Sequence, residues 1–191
     1  MSLEPNPAGD TPEVAPSASV HPSATIIGNV RIGAHVYVGP RATIRADEPG
    51  PDGEVAPIVI GREANVQDGV IIHALGGTSV RVGEGTSVAH GAVVHGPCEI
   101  GPGSFIGFNS VVFDADLGEK VVVMHGACVE GVDVPAGLFI PSMRAVRSAD
   151  DVSDARQASE EELEFAADVR STNMHLAEVY EDLGSGREES G

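Results

Sequence analysis

The 191-residue chain has no tryptophan, two cysteines and a single lysine, Lys120, and only 4% of it is aromatic. So few rings exclude a core of large interlocked aromatics; burial must come from small branched side chains, and Val, Ile and Ala dominate the 41% hydrophobic content. Cys98 and Cys128 are too few and too far apart for a disulfide framework or a zinc–thiolate site, and read as free thiols in a reducing cytoplasm. Positive charge is scarce: 11 Lys and Arg against 29 Asp and Glu give a formal net charge of −18. This argues against nucleic acid and anionic membrane as partners, since both are held by clustered cations. No apolar run approaches a membrane span. The opening residues, MSLEPNPAGD, lack the basic and apolar regions of a secretory leader, so a cytoplasmic protein is expected.

What the chain does have is a count of six. Val14, Val20, Ile26, Ile32, Val38 and Ile44 fall at that interval; Ile60, Val66 and Ile72 resume it, then Val82, Val88, Val94, Ile100, Ile106 and Val112. After one five-residue step it continues at Leu117, Val123 and Val129. Four residues after most of these comes a small or branched one, such as Ala24, Ala42, Ala64, Ala92, Cys98 or Ser110. A period of six fits neither an amphipathic helix nor a meander of hairpins. It fits a parallel β-helix, each repeat one short strand and one corner, three repeats closing a triangular coil. Two phase breaks mark insertions, a protruding loop containing DEPGPDGEVAP and a shorter one around Leu75–Thr78. The expected organisation is a loose tail, disordered or extended, over 1–12, the β-helix over 13–142, a linker over 143–158, a helix over 159–184 and a tail over 185–191. Ser159 and Glu162 form a capping box at the helix start. Phe165, Val169, Thr172, Leu176, Tyr180 and Leu183 mark its apolar face, and Gly184 its end.

With the insertions removed, Arg45, His73 and His95 each directly follow a repeat-opening aliphatic residue and lie a full coil apart. They are predicted to stack at one corner about 4.8 Å apart, close enough for the imidazoles to share a metal ion. His90 lies two places after Val88, on the preceding corner, and shares its column with Asp68 below and His125 two coils higher. Five extended residues place it about 16 Å from His95, whereas zinc–nitrogen bonds are only about 2.0–2.1 Å long. One chain therefore displays two half-sites, and a rotational oligomer, most simply three-fold, would unite them. His21, His35 and His175 show no such arrangement and read as surface residues.

These residues resemble the gamma-class carbonic anhydrases across roughly 12–183, through RADE (Arg45–Glu48), NVQDG (Asn65–Gly69), HAL (His73–Leu75), AHGAVVHGP (Ala89–Pro97) and NMHLAE (Asn173–Glu178). The resemblance implies a homotrimer of left-handed β-helices with one metal per subunit interface, Zn2+ or else Fe2+ or Co2+. His73 and His95 would come from one subunit and His90 from its neighbour. It further implies Glu48 as the acid–base carboxylate, Gln67 as a hydrogen-bonding partner of the reacting water, and Asn173 as a helix residue reaching the site. Arg45, Asp47 and Asp68 would form ion pairs at the subunit contact. The family's proton-shuttle glutamate after HAL is Gly76 here, and its following loop is short. Asp52 and Glu54 in the longer first loop, or His125, are candidates for the proton relay.

The expected function is hydration of CO2 to bicarbonate. A low-activity or inactive trimer with a structural or assembly task is the alternative. A hexapeptide acyltransferase is a minor one, poorly served by a single lysine for the phosphates of an acyl-CoA.

Overall fold

The computed structural model describes residues 2–188, with side chains through Tyr180. The six-residue rhythm folds into a parallel β-solenoid of about seven turns followed by a C-terminal helix. The coils lay their strands on three faces. The first face stacks Thr25–Gly28, Thr43–Ala46, Ile71–Ala74, Val93–Ile100, Val111–Leu117 and Cys128–Glu130 in parallel. The second stacks Val30–Ile32, Ile58–Ile60 and Val80–Val82 onto the far halves of Val93–Ile100 and Val111–Leu117, which turn the corner and join both faces. The third climbs from Ser19–Val20 through Tyr37–Val38, Asn65–Val66, Ser87–Val88, Phe105–Ile106 and Val122–Val123 to Leu138–Ile140.

The residues that set the rhythm fill the prism. From Ile26 to Val129 every one is buried, forming a single core cluster with Ala24, Ala42, Ala64, Ala92 and Cys98 in the narrower slots near the corners. The corners stack backbone on backbone: a Cβ on Gly83 would stand 2.5 Å from the backbone nitrogen of Pro102 in the next coil. Small residues at these places are thus a packing requirement.

Both ends differ from the sequence expectation. Ser2–Glu4, expected in a loose tail, forms a strand paired in parallel with Thr25–Ile27. Asn6 is buried, donating to the carbonyl of Ala46 at 3.1 Å and to Asp10 at 2.9 Å. The open edge of the lowest coil offers unpaired backbone groups, and these residues cover it. At the other end, the expected linker holds one more strand of the first face, Ala145–Val146, a short helix α1 (Ala149–Ser153) capped by Ser148, and the strand Arg156–Gln157. That last strand pairs antiparallel with Leu138–Phe139, which breaks the parallel stacking.

Helix α2 (Glu160–Glu188) begins where its capping box lies: the Ser159 N–H donates to Glu162 at 2.8 Å, and the Glu162 N–H to Ser159 Oγ at 3.3 Å. It continues past Gly184, because an interior glycine costs only about 1 kcal/mol and no proline follows. It descends the third face, touching the strands at Ser19, Tyr37, Asn65, Ser87 and Val122. The face it presents is also not the expected one. Leu163, Ala166, Val169, Asn173, Met174 and Ala177 are turned inward, whereas Phe165 is 40% exposed and Tyr180 53%. The two buried positions are alanines, Ala166 and Ala177, which let the helix lie close to the sheet, with Leu163, Val169 and Met174 part-buried around them. The Leu183 side chain lies outside the described residues.

Candidate metal centre

The histidine column forms on the first face. Ladder pairing sets Arg45 beside His73, His73 beside His95, and His95 beside Phe113. Parallel strands in register bring equivalent positions of successive coils to the spacing of neighbouring strands, and the His73 and His95 ring centroids are 5.0 Å apart. Their facing nitrogens, His73 Nδ1 and His95 Nε2, are separated by 3.1 Å.

The partners of the outer nitrogens fix the tautomers. His73 Nε2 lies 3.1 Å from Asp47 Oδ1, and His95 Nδ1 lies 3.1 Å from the carbonyl oxygen of Gly96. A carboxylate and a carbonyl can only accept, so in the neutral rings the protons sit on these outer nitrogens. Both inner nitrogens then present lone pairs to each other, which is unfavourable unless a cation or a shared proton lies between them. Two nitrogens bound to one tetrahedral zinc at about 2.0–2.1 Å would be roughly 3.3 Å apart, near the spacing observed. The donor set fits a divalent ion.

Among the described residues, no three His, Cys, Asp or Glu side chains of one chain converge as a metal-holding group. His90 stands on the preceding corner, exposed, with Nδ1 3.7 Å from Asp68 Oδ1 and its ring 5.3 Å from that of Phe108. The chain between His90 and His95 is not extended throughout: Ala89–Ala92 form a turn, the Ala92 N–H donating to Ala89. The extended-chain separation is therefore an upper bound.

The remaining predicted residues divide into those the fold gathers and those it does not. Asp47 accepts from Arg45 at 2.9 Å with one carboxylate oxygen while holding His73 with the other. Asp68 lies in the His90 column, as the register predicts, with its Oδ1 3.7 Å from His90 Nδ1. Glu48 Oε1 lies 3.6 Å from His73 Nε2, and its Oε2 accepts from the Gly76 N–H at 3.2 Å. Gln67 is buried and donates to Asn65 Oδ1 at 3.0 Å, while Asn65 donates to Ser87 Oγ at 2.7 Å. Asn173 faces the prism from α2 and donates to the Val169 carbonyl at 2.8 Å. Asp52 closes its own loop, accepting from the Glu54 N–H at 3.1 Å; both residues are exposed. His125 stacks on Phe108 with centroids 4.3 Å apart and accepts the Phe108 N–H at 3.1 Å. Burial pushes the Cys98 thiol up to about 11, in keeping with a packing role.

Sequence reading missed Asn65 and Ser87 as the brace behind Gln67, the Gly96 carbonyl that fixes His95, and the two contacts Gly76 makes. Only the brace left a signal, two polar residues at positions the register turns outward beneath α2.

Stacked six-residue steps with a histidine column at one corner define a hexapeptide-repeat β-solenoid with a candidate metal site. A family described as bacterial transferase hexapeptide (six repeats) matches residues 79–114. A hexapeptide transferase family protein from Anaplasma phagocytophilum has a similar structure, with a TM-score of 0.77 and 25% identity over 94% of this chain and 98% of that one. The carboxysome assembly protein CcmM of Nostoc is 37% identical over 88% of this chain, which spans only 31% of that protein. The carbonic anhydrase of Methanosarcina thermophila is 33% identical over 93% of this chain and 78% of its own length. The chain belongs to the gamma-class carbonic anhydrase family.

Proposed function

We propose that the protein hydrates CO2 to bicarbonate at metal sites shared between the subunits of a homotrimer. The observation that carries this reading is the His73–His95 pair, whose inner nitrogens face each other at 3.1 Å while both outer nitrogens are engaged. His73 and His95 would hold a divalent ion, Zn2+ or else Fe2+ or Co2+, with His90 of a neighbouring copy completing the set. When bound, such an ion would supply the Lewis acidity that lowers the pKa of water to about 7.

The chain's own residues do the rest. Asp47 keeps the His73 Nδ1 lone pair directed inward. Glu48, half-exposed beside His73, can accept the proton that water releases and pass it to solvent. Gln67, held by Asn65, offers an amide with no freedom to wander, suited to orienting the attacking oxygen. Next to the histidine column, the outward ladder Ile71, Val93 and Val111 gives an apolar strip for a neighbouring copy, and Ile71 is 44% exposed. The relationship to the Methanosarcina carbonic anhydrase supports the same chemistry.

The match to CcmM supports a second reading, a trimer whose task is assembly. Anaerobic purification, followed by metal analysis and a CO2-hydration assay on one sample, separates the two. Metal with hydration supports the enzyme; a metal-loaded trimer without hydration, whichever ion is supplied, supports the assembly subunit.

A further inference from the structure

Gly76 lies where the two inserted loops meet. Its N–H donates to Glu48 Oε2 at 3.2 Å, and the other oxygen of that carboxylate lies 3.6 Å from His73 Nε2. On its α-carbon side, a Cβ would stand 2.5 Å from the carbonyl oxygen of Pro49, the residue directly after Glu48. Real Cβ atoms essentially never approach another heavy atom within 3.0 Å, so any side chain at 76 would displace Pro49.

The contact extends along both loops. A Cβ on Gly50 would stand 2.8 Å from the Gly77 Cα, and Gly77 has φ +77, where L side chains are strained. Neither loop is slack. Thr78 donates to the Leu75 carbonyl through its N–H at 2.9 Å and its hydroxyl at 2.7 Å. In the first loop the Gly50 N–H donates to Glu54 at 2.8 Å, and Asn29 ties the Val55 carbonyl to the prism at 2.8 Å. Two stiff turns meet backbone to backbone, and the carboxylate of Glu48 is held at the seam.

We propose that Gly76 is a positioning residue: its bare α-carbon admits Pro49, and its N–H then orients the Glu48 carboxylate beside His73. The residue at 76 and the path of the first loop are thereby one coupled choice, since a side chain at 76 requires the loop to lie elsewhere. The catalytic part of this inference rests on the function proposed above; the geometric part does not.

The test has two arms. In metal-free protein, amide hydrogen exchange is followed by mass spectrometry on a peptide containing Gly76. Glu48→Ala, which removes the acceptor without crowding the seam, is expected to speed exchange of this amide by roughly five- to ten-fold, the worth of one ordinary hydrogen bond at an exposed site. Unchanged exchange would overturn the positioning role.

In metal-loaded protein, Gly76→Ala is expected to lose about as much hydration rate as Glu48→Gln, with the double variant no worse than either. Multiplying losses would show that Gly76 acts independently of Glu48 and overturn the coupling. A wild-type protein inactive toward CO2 would overturn the proposed function, leaving the exchange arm to decide the geometry.

Discussion

At the scale of single residues, the two acidic groups beside His73 have separable tasks. Asp47 touches the ring nitrogen that faces away from His95, so its effect is on the ligand. Asp47→Asn allows the amide to donate to that nitrogen and turn the tautomer over; metal affinity should fall about 10–100-fold, read by competition with a chelator. Glu48 stands at 3.6 Å, too far for a direct hydrogen bond to that ring. Glu48→Gln keeps the Gly76 N–H satisfied but removes the base. It should retain metal and assembly while losing about 10²–10⁴ in hydration rate; wild-type turnover in a metal-replete variant would place the base elsewhere, with His125 next to test. The histidine column was legible because strand positions repeat, so Arg45, His73 and His95 could be counted into line. The contacts of Asp47 and Gly76 were not, since both sit at the insertions, where the period is suspended and position no longer follows from number.

At the scale of elements, strands and helix were legible to different degrees. A six-residue count names both the strand and the side chain that points inward, and every rhythm residue from Ile26 to Val129 is buried. For α2 the start was readable from Ser159 and Glu162, but its inward face was not. Bulky residues mark a face by hydrophobicity, whereas here the two buried positions are alanines, Ala166 and Ala177, which hydrophobicity does not single out. Replacing the buried Ala177 by Leu should therefore destabilise the protein by about 1–3 kcal/mol, measured by urea unfolding. The same substitution at Ala167, which is exposed, should do little. The helix start should also depend on pH. Arg156 above all, with the Ser159 N–H and hydroxyl, holds the Glu162 carboxyl down to about 2 from an ordinary 4.5. A depressed carboxyl contributes stability above its unfolded value, and loses it as pH falls from about 4.5 toward 2. Glu162→Gln should flatten the acid limb of the helical circular-dichroism signal over that window.

At the scale of the whole molecule, the half-sites on separate corners predict complementation. His73→Ala and His90→Ala chains should each form metal-poor oligomers, and mixing them after unfolding and refolding should restore a fraction of intact sites. Full metal in either variant alone would sink the shared-site arrangement. The descent of α2 carries a different consequence. In a solenoid each coil touches only its neighbours, so a stack held by strands alone melts from its ends like a frayed rope, one turn at a time. Here a single helix lies across strands from Ser19–Val20, low in the stack, to Val122–Val123, near its top. Coils with no contact of their own thus share a common splint, and lifting one end of it weakens the rest. A molecule built by repetition is thereby expected to lose its coils together instead of one by one from the ends.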